Sequence, residues 1–79
     1  MSDGEGRAPR VTGDQLVRAF VRAGFAVEYV RGSHHYLRRA DVPPTVTVPV
    51  HSGRTIPPGT LRSILRQAEL TVDELRRYL

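Results

Sequence analysis

Thr45 to Val50 reads T-V-T-V-P-V, and this alternation constrains the chain more than any other stretch. Successive side chains of a strand point to opposite faces, so Val46, Val48 and Val50 share one face and require an apolar cover. Pro49 has no amide for a ladder bond, which places this strand at a sheet edge or ends it there. Upstream, Phe25, Val27 and Tyr29 alternate with Ala26, Glu28 and Val30, a second period-two segment. His34 to Arg39 is long enough to pair with it across the tight turn signal Arg31-Gly32-Ser33. Three strands on short connections predict an antiparallel meander with one face to hide.

Two flanking helices supply the cover. Thr12-Gly13-Asp14-Gln15 has the capping-box pattern, Leu16, Val17, Phe20 and Val21 follow at helical spacing, and Gly24 offers a left-handed stop, which predicts a helix over Gly13 to Ala23. After a turn at His51-Ser52-Gly53-Arg54, Pro57-Pro58-Gly59 leads into Leu61, Ile64, Leu65 and Ala68 at i, i+3, i+4 and i+7. Thr71-Val72-Asp73-Glu74 repeats the capping box ahead of a short stripe of Leu75, Tyr78 and Leu79. The fold class is therefore α+β: a two-layer α-β-β-β-α domain, with two helices on one face of a three-stranded antiparallel sheet and a short C-terminal helix. That is the general shape of double-stranded-RNA-binding domains. The opening residues 1–11 are read as a disordered leader and 12–79 as the domain, because 1–10 are rich in Gly, Pro, Ser and charge.

The chain has 79 residues and no cysteine, so one core must hold it without a disulfide, as in a reducing compartment. No apolar run approaches the roughly 20 residues that cross a bilayer, and the first ten residues lack the apolar segment of a secretion signal. The expectation is a soluble cytoplasmic protein. The net charge is +4, and all twelve basic residues are arginine. Between Arg31 and Arg66 lie six arginines (Arg31, Arg38, Arg39, Arg54, Arg62, Arg66) against the single acid Asp41, a local excess of +5. Guanidinium groups fork onto phosphate oxygens, so such a surface attracts polyanions, although the same charges also serve as solvated faces.

Within that basic stretch, Gly32-Ser33-His34-His35 is the segment able to carry chemistry. Leu37 must face the helices, and parity then turns His35 inward and leaves His34, Tyr36 and Arg38 on the open face. A bulge near Gly32 would reverse the assignment. Histidine exchanges a proton near neutral pH, which suits attack by a ribose 2′-hydroxyl on its phosphodiester, while arginines neutralise the phosphorane. Gly32 admits close backbone approach and Ser33 adds a donor. The same residues also make an ordinary polar turn. A zinc site from His34, His35 and His51 is disfavoured because adjacent strand residues diverge, and a Ser33–His34 hydrolase pair lacks an acid and the spacing. The residues alone thus leave three readings open, a histidine enzyme, a non-catalytic RNA-binding module and a protein-interaction domain without affinity for RNA.

The blocks G-S-H-H-Y-L-R-R, V-T-V-P-V-H-S-G and P-P-G-T-L-R-S-I-L-R-Q-A-x-L-T-x-D-E-L, in this order, resemble the HicA (YcfA-like) family of toxins from bacterial toxin–antitoxin pairs, over about Thr12 to Leu79. The resemblance implies an mRNA interferase: an endoribonuclease that cuts single-stranded mRNA without metal, cofactor or ribosome, and that a HicB-type antitoxin silences. It places the catalytic histidine at His34, with Gly32 and Ser33 supporting the loop. Arg31, Arg38 and Arg39 then neutralise charge and Tyr36 stacks on a base, while Arg62 and Arg66 contact phosphate or antitoxin. His51 is read as shaping its turn. The chain departs from the family at Glu69, where glycine is usual, so the break after the second helix is expected to tighten or the last two helices to merge. It departs again in carrying arginine in place of lysine.

Overall fold

The structure, a computed structural model, describes residues 8–40 and 42–79, with only the backbone described at 42–44. Residues 1–7, which hold most of the expected leader, lie outside the described residues. Val11, assigned by composition to that leader, is 2% exposed, and its carbonyl accepts from the Ile56 amide at 2.8 Å. Order thus begins before Thr12, because an apolar side chain at this point has core to reach.

Helix α1 runs Gly13–Arg22. Its capping box is complete: the Gln15 amide donates to Thr12 Oγ1 at 3.2 Å and the Thr12 amide to Gln15 Oε1 at 2.9 Å. It ends in a Schellman motif, in which the Phe25 amide reaches the Phe20 carbonyl at 2.9 Å and the Gly24 amide the Val21 carbonyl at 3.1 Å. Gly24 takes the left-handed turn at φ 105, and the rings of Phe20 and Phe25 stack across the end at 5.1 Å.

Strands β1 (Ala26–Arg31), β2 (His34–Arg39) and β3 (Val42–Pro49) form an antiparallel sheet in the order β1-β2-β3. β3 is an edge strand and ends at Pro49, as its missing amide requires. The two-residue β1–β2 loop has Gly32 at φ 58 and Ser33 outside the left-handed region, the placement of a type II′ turn. In β1 the expected alternation fails. The register shifts between Val27 and Tyr29, leaving Glu28 as an extra residue. Val27 therefore sits opposite buried Leu37 on the helix side, whereas Tyr29 sits opposite Tyr36 on the other face.

Gly53 at φ 74 makes the turn after β3, closed by the Arg54 amide on the His51 carbonyl at 2.9 Å. Helix α2 spans Pro58–Ala68 with proline in its first turn, and α3 spans Val72–Tyr78 behind the Thr71–Glu74 capping box. Between them the expectation of a tightened or merged break is corrected. Glu69 itself adopts φ 58, ψ 40, and the amides of Glu69 and Leu70 close a full Schellman motif on Arg66 and Leu65. Leu65 and Leu70 both pack with the core, so burial beyond the turn holds a non-glycine residue in a left-handed conformation.

α1 packs over β1 and β3, α2 over β3, and α3 against α1. Leu16, Phe20, Leu37, Val46, Val48, Leu61 and Leu75 are fully buried between the layers. A Cβ on Gly13 would lie 2.7 Å from Val50 Cα and closer still to the Pro49 carbonyl oxygen, so only glycine lets the start of α1 touch the end of β3.

Candidate active site

Register builds the site. His34 opens β2 and is exposed, paired with Arg31 on β1 and with Pro49 on β3. Directly opposed residues of an antiparallel pair share a face with Cα atoms about 4.5–5.5 Å apart, so Arg31 and His34 reach one small ligand together. Beyond the strand the Val50 amide donates to the Ser33 carbonyl at 2.6 Å, which ties the Gly32–Ser33 loop to the end of β3 and so to α1.

Tyr36 lies two residues along β2, about 7 Å from His34 on the same face. Its ring stacks on Tyr29 at 4.4 Å and 11°. The extra residue at Glu28 produces this pair, by turning Tyr29 out of the core. Tyr29 is 49% exposed, leaving ring surface free for a further aromatic group. Arg38 shares the face at its far end, where it meets Glu28 Oε2 at 3.3 Å. That pair is solvated and weak, so a phosphate can displace the carboxylate.

Arg39, expected to neutralise charge beside His34, and Arg62 and Arg66, expected to contact phosphate or antitoxin, all stand apart from the open face. Arg39 has the parity of Leu37, and its guanidinium lies 4.9 Å over the ring of buried Phe25, on the helix side of the sheet. Arg62 and Arg66 stand on α2 beside Leu65, Leu70, Thr71 and Val72, lining a groove toward α3 on the helix layer rather than the open face. His35 turns inward opposite buried Val48, its Nδ1 buried without a hydrogen-bond partner among the described residues. Gly32 is exposed with nothing within 4 Å of a Cβ, so its requirement is the positive φ of the turn. Among the described residues no group of three or more His, Asp or Glu is placed to hold a metal ion, since His34 and His35 diverge.

The site thus defines a class: a small basic α+β domain whose open sheet face carries one exposed imidazole, an arginine across from it and an aromatic stack. A family model described as the HicA toxin of bacterial toxin-antitoxin matches residues 13–70, from the first residue of α1 to just beyond α2. The chain belongs to that family, and is the toxin member of a pair whose other member is an antitoxin. No curated protein sequence matches it. Among the described residues no helix is long and apolar enough to cross a membrane.

Proposed function

We propose that the chain is a cytoplasmic mRNA interferase, a metal-independent and ribosome-independent endoribonuclease with His34 as its catalytic residue. The observation that carries this reading is the exposed His34 opposite Arg31 on the face that also holds the Tyr29–Tyr36 stack. A base resting on Tyr36 fixes a nucleotide about one nucleotide's reach from the imidazole. The ribose 2′-oxygen then bonds to phosphorus as its proton leaves, and the bond from phosphorus to the 5′-oxygen breaks with its electron pair on that oxygen, which gains a proton. One imidazole serves one of these transfers and water the other. Arg31 offsets the extra charge on the phosphorane, and Gly32 and Ser33 hold the loop that presents His34. The products are a 2′,3′-cyclic phosphate and a 5′-hydroxyl.

Silencing follows from the same surface. A HicB-type antitoxin with an acidic face, laid over His34, Arg31 and Arg38, blocks the site sterically and by charge. Arg62 and Arg66 lie on another surface, where contact with the antitoxin does not compete with RNA.

Purified protein incubated with single-stranded RNA in EDTA tests the activity, read as fragments ending in cyclic phosphate. His34→Ala is expected to lose about 10²–10⁴-fold in rate with the fold intact. Equal cleavage by the variant refutes the role of His34. Salt-dependent binding by the parent chain without scission makes the domain an RNA-binding module.

A further inference from the structure

Behind Pro49, the strand partner of His34, the surface opens into a cavity of about 290 Å³. Its walls are Pro49, Ile56 and Pro57, its rim is His51 and Arg54, and Thr55 and Thr60 supply hydroxyls. It begins one strand spacing, about 4.8 Å, from the strand that carries His34. Backbone contacts hold the chain from His51 to Ile56 along it. Arg54 and His51 are fixed by their turn bond of 2.9 Å, Thr55 bridges to Thr12, and the Ile56 amide donates to Val11 at 2.8 Å. None of these residues serves the chemistry assigned to His34.

The lining matches one kind of guest. Proline rings and an isoleucine give flat apolar walls for the face of a base, threonine hydroxyls both donate and accept at a base edge, and an arginine at the rim forks onto a phosphate. We infer that this cavity is a nucleotide subsite, holding the nucleotide next to the one at which His34 acts, its base between Pro49 and Pro57 and its phosphate on Arg54. The inference rests on the ribonuclease reading for its position in the substrate, and on the lining alone for the class of ligand. His51, on this account, is a rim residue that contacts RNA in addition to shaping its turn.

Two measurements test it. In the first, isotopically labelled His34→Ala protein is titrated with the four nucleoside 3′-monophosphates and, separately, with an oligoglutamate peptide. Nucleotides are expected to shift the amides of Thr55, Ile56 and Thr60 and the His51 ring, with binding weakened about tenfold by Arg54→Ala. No shift in this set, or shifts from the peptide in place of the nucleotides, overturns the inference and in the latter case makes the cavity a docking site for an acidic protein segment. In the second, single-stranded RNA is cleaved by chains that keep His34. Arg54→Ala is expected to raise KM about tenfold with kcat little changed, and Thr60→Val to alter the base preferred beside the cut. Unchanged KM and preference overturn the inference while leaving the nuclease intact. A parent chain that cuts no RNA removes the nuclease reading, and the titration then decides the nucleotide site by itself.

Discussion

Replacing Glu69 with glycine should make this toxin more stable. Glu69 is the one non-glycine residue among those described with a positive φ, 58 with ψ 40, and it is exposed. An L-residue in this region carries a cost of about 1–2 kcal/mol from the clash of Cβ with the following carbonyl. Glycine removes that clash but frees the unfolded chain, which returns about 0.4–1 kcal/mol of the gain. The net is a stabilisation of about 0.5–1 kcal/mol, and for a domain of this length about 2–8 °C in Tm. Thermal unfolding by circular dichroism reads the shift, and urea unfolding should show a higher midpoint with an unchanged slope. Glu69→Ala is the control: it removes the carboxylate and keeps the Cβ, so it should stay within about 0.5 kcal/mol of the parent. If the alanine and glycine variants rise together, the charge is responsible and the argument from φ is wrong. RNA cleavage at room temperature should not change, because the residue caps α2 away from the open face.

The same reasoning sets other positions. Gly13→Ala forces a Cβ to within 2.7 Å of Val50 Cα, and should lower stability by about 1–3 kcal/mol, seen as a reduced urea midpoint; a neutral result would show that α1 can lift off β3 freely. Gly32→Ala meets no neighbour but keeps φ 58, so a loss of about 1–2 kcal/mol is expected by thermal unfolding, with Gly32→Asn losing less. Tyr36→Ala should weaken single-stranded RNA binding by about 1–3 kcal/mol in a filter or anisotropy assay, with KM affected more than kcat.

Local signals were legible and tertiary ones were not. Both capping boxes could be read because a hydroxyl and an amide or carboxylate three residues apart meet only within the first turn they define. Val46 and Val48 of T-V-T-V-P-V are buried as alternation requires, since β3 has no bulge between them, while Val50, past the end of the strand, is half-buried against the core. In β1 no glycine or proline marks the extra residue at Glu28. The bulge follows from the demands of two partners, Leu37 and Tyr36, and those demands exist only once β2 is in place. Gly13 was likewise silent: its need for no side chain comes from Pro49 and Val50, more than thirty positions away. At Glu69 the residue type pointed to the wrong turn, because packing of Leu70 beside Leu65 outweighs the conformational preference of one exposed residue.

The candidate site divides along the same line. Parity from Leu37 was enough to place His34 and Tyr36 on the open face and to turn His35 inward, because β2 runs without a bulge from His34 to Leu37. Applied one step further, the same parity places Arg39 with Leu37, over Phe25, whereas counting charge along the chain had grouped it with Arg31 and Arg38. A charge count records composition, and a phosphate responds to which face a guanidinium occupies. Facing therefore separates the roles that summed charge had merged. Arg31 stands opposite His34 at the site of the proposed cut, Arg38 meets Glu28 at the far end of that face, and Arg39 lies over Phe25 in the core. Arg62 and Arg66 belong to a helix on another surface, which under the proposed function leaves the sheet to RNA. An antitoxin touching both surfaces would gain affinity from the helix and inhibition from the sheet, so charge reversal at Arg62 and Arg66 should weaken the complex without slowing cleavage, as read by calorimetry and by the RNA assay on the same variant.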